Sequence, residues 1–294
     1  MSGIERRLVL VLGLLLAATA AIGDDQDSGL LWKIAGKNNH LYLLGSVHML
    51  RESDFPLAAS IEAAYQDAET LVMELDMDDL NPLAVQALFF THGRLPEDKT
   101  LQQVMGAEQW EYARRMAEAL DVDLMMLNQI KPWWAALTIA QLQLTRLGFD
   151  PEHGIEAYFA QRAASDDKPI EGLETADYQV RLFDAMDTGQ QTLLLVKSLD
   201  DAATLERDMD ELLSAWREGR ADELARMQSE TFREFPALYG SLIRARNENW
   251  VRALAPLLMG DERDYLVVVG ALHLVGEDSV VKGLEALGYR ATRQ

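Results

Sequence analysis

The stretch YLVVVGALH at residues 265–273 decides the reading of this chain, together with its echo YLLGSVH at residues 42–48. Each is an apolar run of good strand formers that stops at a glycine and places a histidine three residues on. The pattern Gly-x-x-His thus occurs twice, from Gly45 to His48 and from Gly270 to His273, at opposite ends of the chain. A glycine at a strand end lets the backbone turn where a side chain would obstruct it. The following histidine is then presented at the mouth of a sheet, where open α/β sheets hold ligands. Neutral imidazole is the commonest metal ligand, so two such histidines are the start of a metal site. The bland alternative is two strand ends that happen to carry a histidine, in a chain with five. If the two motifs form one site, the ends of the chain must meet. That favours one domain over residues 24–294, with helical insertions at about 80–165 and 175–260.

Working outward, residues 30–34 and 40–44 form two strands around a Gly-Lys-Asn-Asn turn, a hairpin signal. A helix is expected from Pro56 to about residue 68, capped by Ser53 or Asp54. TLVMEL at 70–75 is a short strand with one charge, Glu74. Alternation puts Leu71, Met73 and Leu75 on one face and Val72, Glu74 and Asp76 on the other, so Glu74 is either solvated or paired. Apolar residues at three- and four-residue spacing predict helices over 82–90, 107–120 and 124–147, the last interrupted at Lys131-Pro132. Adjacent tryptophans point to opposite sides of a helix; core packing is expected for Trp133 and Trp134, with an interface or pocket wall as the alternative for one of them. A helix opens near Gly154-Ile155-Glu156, and KPIEG at 168–172 is a short strand, with Glu171 and Glu174 near its end. Further helices are expected over 179–186, 190–218, 220–233, 236–258 and 277–287, before a last strand at 289–292. The acidic run 200–211 reads as a solvated face, and Arg244, Arg246 and Arg252 as a basic side. The fold class is mixed α/β (α+β): a central mixed β-sheet carrying both Gly-x-x-His motifs, with a large helical middle region.

The 294 residues contain no cysteine, which excludes disulfides, thiolate ligands and a lipoprotein anchor. Arg6 and Arg7, the apolar run 8–16 and the small residues 17–23 read as a secretory signal peptide over residues 1–23. The rival reading is a retained anchor, for which the run is short. A cleaved signal places the mature protein in a periplasm or outside the cell. The formal net charge is −21; removing residues 1–23 takes away Glu5, Arg6 and Arg7, a net +1, and leaves −22. That field opposes binding to nucleic acid and anionic lipid. Beyond residue 23 no stretch is long and apolar enough to span a membrane.

The chain resembles the TraB–PrgY–GumN family, which includes the Tiki metalloproteases and is distantly related to erythromycin esterase-like and ChaN-like proteins. The resemblance rests on LLGSVH at 43–48, the strand glutamate Glu74, Lys131-Pro132-Trp133, Gly154-Ile155-Glu156, Lys168-Pro169-Ile170, Leu173-Glu174-Thr175, Arg246-Asn247 with Trp250, and VGALHL at 269–274. It implies that both histidine motifs meet at one site, which in the Tiki branch supports metal-dependent peptide hydrolysis. Residue by residue, it implies His48, Glu74 and His273 as the core of the site, expected to bind the metal, with Arg246 as a charged partner and Glu174 as a second carboxylate. Glu156 stands where relatives often carry Asp, and the membrane anchor of the Tiki branch is missing.

The function expected is divalent-metal-dependent hydrolysis of a peptide or small envelope-associated substrate, with Mn, Co or Zn as the cofactor. Glu174, then Glu171, would act as base, and Arg246 would meet an oxyanion or substrate carboxylate. Gly45, Gly270, Asn247 and Glu156 would support the site. Two alternatives stand beside it: a periplasmic protein that sequesters a metal or ligand, and a scaffold in which the two histidines pair across the sheet. No Gly-x-Ser-x-Gly elbow supports a serine hydrolase.

Overall fold

Six strands form one sheet in the order β4-β3-β5-β2-β1-β6. They are β1 (Leu31–Ala35), β2 (His40–Ser46), β3 (Thr70–Leu75), β4 (Ile170–Glu174), β5 (Tyr265–Gly270) and β6 (Ala291–Arg293). The computed structural model describes residues 29–260 and 262–294; the signal-peptide expectation lies outside them. β4, β3, β5 and β2 are mutually parallel, while β1 runs antiparallel to both β2 and β6. The sheet is therefore mixed, as the sequence predicts. β5 enters last among the parallel strands and slots between β2 and β3. That insertion brings the two ends of the chain together.

Alternate residues of these strands feed two separate cores. Tyr42 and Leu44, Leu71 and Met73, and Leu266 and Val268 face the larger core. Leu41 and Leu43, Val72, and Tyr265, Val267 and Val269 face the smaller one. A parallel sheet buried on both faces needs such continuously apolar strands, which is why these runs lack the polar alternation of a half-exposed sheet.

The helices are α1 (Ala59–Asp67), α2 (Pro82–Gly93), α3 (Leu101–Met105), α4 (Ala107–Ala119), α5 (Pro132–Arg146), α6 (Ile155–Asp166), α7 (Ala176–Asp184), α8 (Thr188–Asp201), α9 (Leu205–Arg217), α10 (Ala221–Thr231), α11 (Pro236–Tyr239), α12 (Ala245–Leu254), α13 (Leu257–Gly260) and α14 (Val280–Ala286). Several differ from expectation for identifiable reasons. Asp54 does not cap a helix at Pro56; its carboxylate accepts from the Arg51 N–H at 2.7 Å in a separate 3-10 turn, and α1 starts at Ala59. The span 190–218 breaks at residues 202–204, where Thr204 turns to donate to Asp208 at 2.6 Å. Asp208 shares the inward face with Leu205, Leu212 and Trp216, so the acidic run is not wholly solvated: Asp201 and Asp208 are buried. Within 236–258 a π-helical turn, Gly240–Arg244, precedes α12. Residues two apart do not share a helix face: Arg244 is half exposed while Arg246 is buried, so no single basic side forms.

Candidate functional site

Strand register assembles the site. Ser46 pairs with Gly270 across β2 and β5, and Leu75 with Glu174 across β3 and β4. Because these four strands are parallel, their carboxyl ends lie along one edge of the sheet. His48, Glu74, Glu174 and His273 all fall there, at the crevice where such sheets hold ligands. Two glycines permit the close packing. A Cβ on Gly45 would lie 3.1 Å from the Ala271 Cα. One on Gly154 would lie 2.1 Å from the His48 carbonyl oxygen, so only glycine lets the start of α6 dock there. The Ile155 N–H then donates to the Val47 carbonyl at 3.0 Å, which brings Glu156 against His48.

Arg246 on α12 is the centre of a buried network. Glu74 lies on the Val72 face of β3, and that face is covered by α12 instead of solvent. The guanidinium has five N–H donors, and each has a partner. Nε donates to Glu174 at 3.0 Å. Nη2 meets Glu74 Oε2 at 2.5 Å and Glu174 Oε2 at 2.8 Å. Nη1 donates to the Leu242 carbonyl at 3.2 Å and to His273 Nε2 at 3.1 Å. The carboxylates are equally occupied. Glu74 also accepts from the Gly270 N–H at 2.8 Å and from Gln179 Nε2 at 3.0 Å. Glu174 also accepts from Trp250 Nε1 at 2.9 Å and from Gln179 Nε2 at 3.2 Å.

The tautomer of His273 follows from its partners. Asn247 Nδ2 donates to the carbonyls of Asp278, at 2.7 Å, and His273, at 3.3 Å. Its Oδ1 therefore accepts from His273 Nδ1–H at 2.5 Å, and Nε2 carries the lone pair that Arg246 meets. Burial, reinforced by the Arg246 charge, pushes the His273 imidazole down to about 3, so it stays neutral. Burial alone would raise the Glu74 carboxyl. Arg246, the two histidines and the Gly270 N–H outweigh it and hold the group well below the usual carboxylate range.

His48 is different. Its Nδ1 lies 2.6 Å from Glu156 Oε1, which also accepts from the Ser46 hydroxyl. Burial would lower its pKa, but the Glu156 charge and hydrogen bond, with Glu74 beyond, raise it to about 9. Among the described residues His48 Nε2 makes no hydrogen bond, and the buried Glu156 Oε2 has no partner either. Both residues line a cavity of about 420 Å³. Its floor is polar, with His48, Glu74, Glu156 and Gln179, and its walls are Met49, Met73, Met77, Phe89, Trp134 and Leu137.

The expected site residues thus divide. His48, Glu74, Glu174, His273, Arg246, Asn247 and Glu156 come together, with Gly45 and Gly270 beside them. Glu171 does not: it is exposed on the edge strand β4. Trp133 is in the core as expected, but Trp134 is on the cavity wall. Sequence reasoning missed Gln179, which bridges both glutamates and has no local signature. It also missed the walls from α2 and α5, although an all-round apolar stretch such as PLAVQALFF was a signal for a helix covering something. As arranged, the trio His48, Glu74 and His273 does not fit a divalent ion. Both His273 nitrogens are engaged, by Arg246 and Asn247, and each Glu74 oxygen already accepts a hydrogen bond. No three His, Asp or Glu among the described residues are grouped to hold one.

The chain is 27% identical over 245 residues to the uncharacterized protein YbaP of Escherichia coli (strain K12), covering 83% of this chain and 87% of that one. YbaP of Shigella flexneri matches to the same extent. An uncharacterized protein of Treponema pallidum (strain Nichols) is 23% identical over 167 residues, 56% of this chain and 49% of its own. No solved structure matches. The family match runs over residues 30–293, from the first strand through the last, and the chain belongs to the TraB/PrgY/gumN family.

Proposed function

We propose that this protein is a hydrolase in which His48 Nε2 moves the proton. The observation that carries this reading is the 2.6 Å Glu156–His48 pair at the floor of the apolar-walled cavity. A carboxylate on one imidazole nitrogen fixes the tautomer and stabilises the imidazolium that forms when the other takes a proton. In the reaction, neutral His48 removes a proton from a water that attacks a carbonyl carbon. The imidazolium then returns the proton to the leaving nitrogen or oxygen as its bond to carbon breaks. The walls hold an apolar part of a peptide or small envelope-associated substrate. Periplasmic or secreted location belongs to the same proposal, as does the exclusion of nucleic acid by net charge.

A divalent ion (Mn, Co or Zn) held by His48, Glu74 and His273 enters only in a rearranged site. Arg246 has to release His273 Nε2, and His48 has to lose its proton. Glu174 and Arg246 serve here as a rigid support, since every donor and acceptor they direct into the site is occupied. The second reading is a protein that binds a ligand without turnover. It is favoured by the saturated donors of Arg246, which leave none of its N–H groups for an oxyanion.

The test is a screen of fluorogenic peptides and esters with the wild type, His48→Ala and Glu156→Gln, beside a metal assay. Turnover lost by about 10²–10⁴-fold in His48→Ala is the expected result. Undiminished turnover in that variant would overturn the assignment. Cavity ligands bound without cleavage would support the second reading. One equivalent of metal in the wild type, lost in both His48→Ala and His273→Ala, would restore the metal site.

A further inference from the structure

A second cavity, of about 840 Å³, is lined in part by Gly276 and Glu277, just after His273 in the chain. Its wall comes from α10, the turn after it, α11 and the residues around Gly276. Four cations line it, Arg226, Arg233, Arg244 and Lys282, against two carboxylates, Asp222 and Glu277. Cations thus outnumber carboxylates among the lining residues, in a chain whose net charge is −21. Three of the cations have partners: Arg226 with Glu230 at 2.9 Å, Arg244 with Asp278 at 3.0 Å and Lys282 with Glu285 at 3.7 Å. Arg233 is exposed, and its guanidinium makes no ion pair or hydrogen bond among the described residues. Phe232 and Tyr239, in edge contact at 5.4 Å, and Pro236 add an apolar wall beside the cations. Gln228 and Ser229 supply polar groups, although Gln228 Nε2 is committed to the Leu272 carbonyl at 2.7 Å.

We propose that this cavity binds a phosphate-bearing ligand whose phosphate meets Arg233 and Arg244 and whose remainder lies on the Phe232–Pro236–Tyr239 wall. The planar guanidinium fork matches the oxygens of a phosphate, and charge-assisted bonds of this kind are the strong ones. The volume is that of a small-molecule site rather than of a single-ion nest. The site does not rest on the hydrolytic reading, because it shares none of the groups that move the proton. It is physically adjacent all the same. Arg244 and the Tyr239 hydroxyl both engage Asp278, whose backbone carbonyl holds Asn247, the residue that orients His273.

The phosphate could be free or part of a lipid headgroup, and the test separates the two. The full chain is titrated calorimetrically at low ionic strength with inorganic pyrophosphate and with glucose 6-phosphate, and floated with phosphatidylglycerol vesicles against phosphatidylcholine vesicles. Arg233→Ala and the double variant Arg233→Ala/Arg244→Ala are run in parallel, with circular dichroism to confirm folding. Arg181→Ala, an exposed arginine outside the cavity, is the control. The expected result is saturable binding that weakens roughly tenfold in Arg233→Ala, is lost in the double variant and is unchanged in Arg181→Ala. Binding of the soluble phosphates alone would identify a free ligand, and Arg233-dependent flotation with phosphatidylglycerol a headgroup. The proposal is overturned if no probe binds the wild type, or if the double variant binds as the wild type does.

Discussion

Two clusters lie along the same edge of the sheet, and they are built on opposite rules. Around Arg246 every donor meets an acceptor: five N–H groups are divided among Glu74, Glu174, His273 and the Leu242 carbonyl. Around His48 the pairing among the described residues is incomplete: Glu156 Oε2 has no partner and His48 Nε2 makes no hydrogen bond, beside a cavity that both residues line. A fully satisfied buried network rigidifies, whereas a partly satisfied one is poised to accept something. On the proposed reading the first cluster is support and the second carries the chemistry, although both hold the residue types of an active site.

The sharpest way to break this contrast is to remove its centre. Arg246→Ala leaves Glu74 and Glu174 buried without their cation, and denaturant unfolding should show a loss of about 3–5 kcal/mol. A loss below about 1 kcal/mol would mean that the network does not hold the fold. His48→Ala should do the reverse. It is 22% exposed and makes one ion pair, so its removal should cost about 1–3 kcal/mol while lowering turnover by about 10²–10⁴-fold. Equal damage to both properties would erase the distinction between the clusters.

Acidity gives the next test. If His48 is the base, only its neutral form works, so turnover should climb with pH towards about 9 and level off above it. A rate that instead falls through 9 would make the imidazolium the active form. Stability should move the other way. The pair raises the folded-state pKa above the ordinary 6.5, so its contribution is complete below 6.5 and is lost as pH rises through about 9. Wild type and Glu156→Gln should therefore differ by on the order of 1–3 kcal/mol at pH 6 and converge above pH 9. An NMR titration should also find the His48 midpoint of Glu156→Gln nearer the ordinary imidazole value.

The smallest effect expected is at Glu171. Exposed on β4, it should tolerate Glu171→Gln with stability changed by less than about 0.5 kcal/mol and turnover unchanged. A large loss of turnover would bring this carboxylate back as a catalytic group.

Much of the fold was legible because local rules carried it. The apolar runs at β2, β3 and β5 are strands because both of their faces are buried, and Gly45 and Gly270 mark the ends of β2 and β5. Proline set the starts of α2 and α5. Less legible were the breaks at residues 202–204 and 240–244, where a turning threonine and a π turn interrupt periodic sequence. The partner of Glu74 was also out of reach, since alternation assigns a face but not what covers that face.

By itself, the sequence determined that two Gly-x-x-His strand ends exist, that a carboxylate rides on a third strand and that both ends of the chain supply the sheet. These follow from side-chain periodicity and backbone sterics, which act over a few residues. Only the tertiary structure decided which histidine is spoken for. His48 and His273 carry the same local motif. One is held by Glu156 from α6 and pushed up to about 9; the other lies beneath Arg246 from α12 and is pushed down to about 3. Charge and burial are set by residues 108 and 27 positions away in the chain, Glu156 from His48 and Arg246 from His273, and no local pattern reports them.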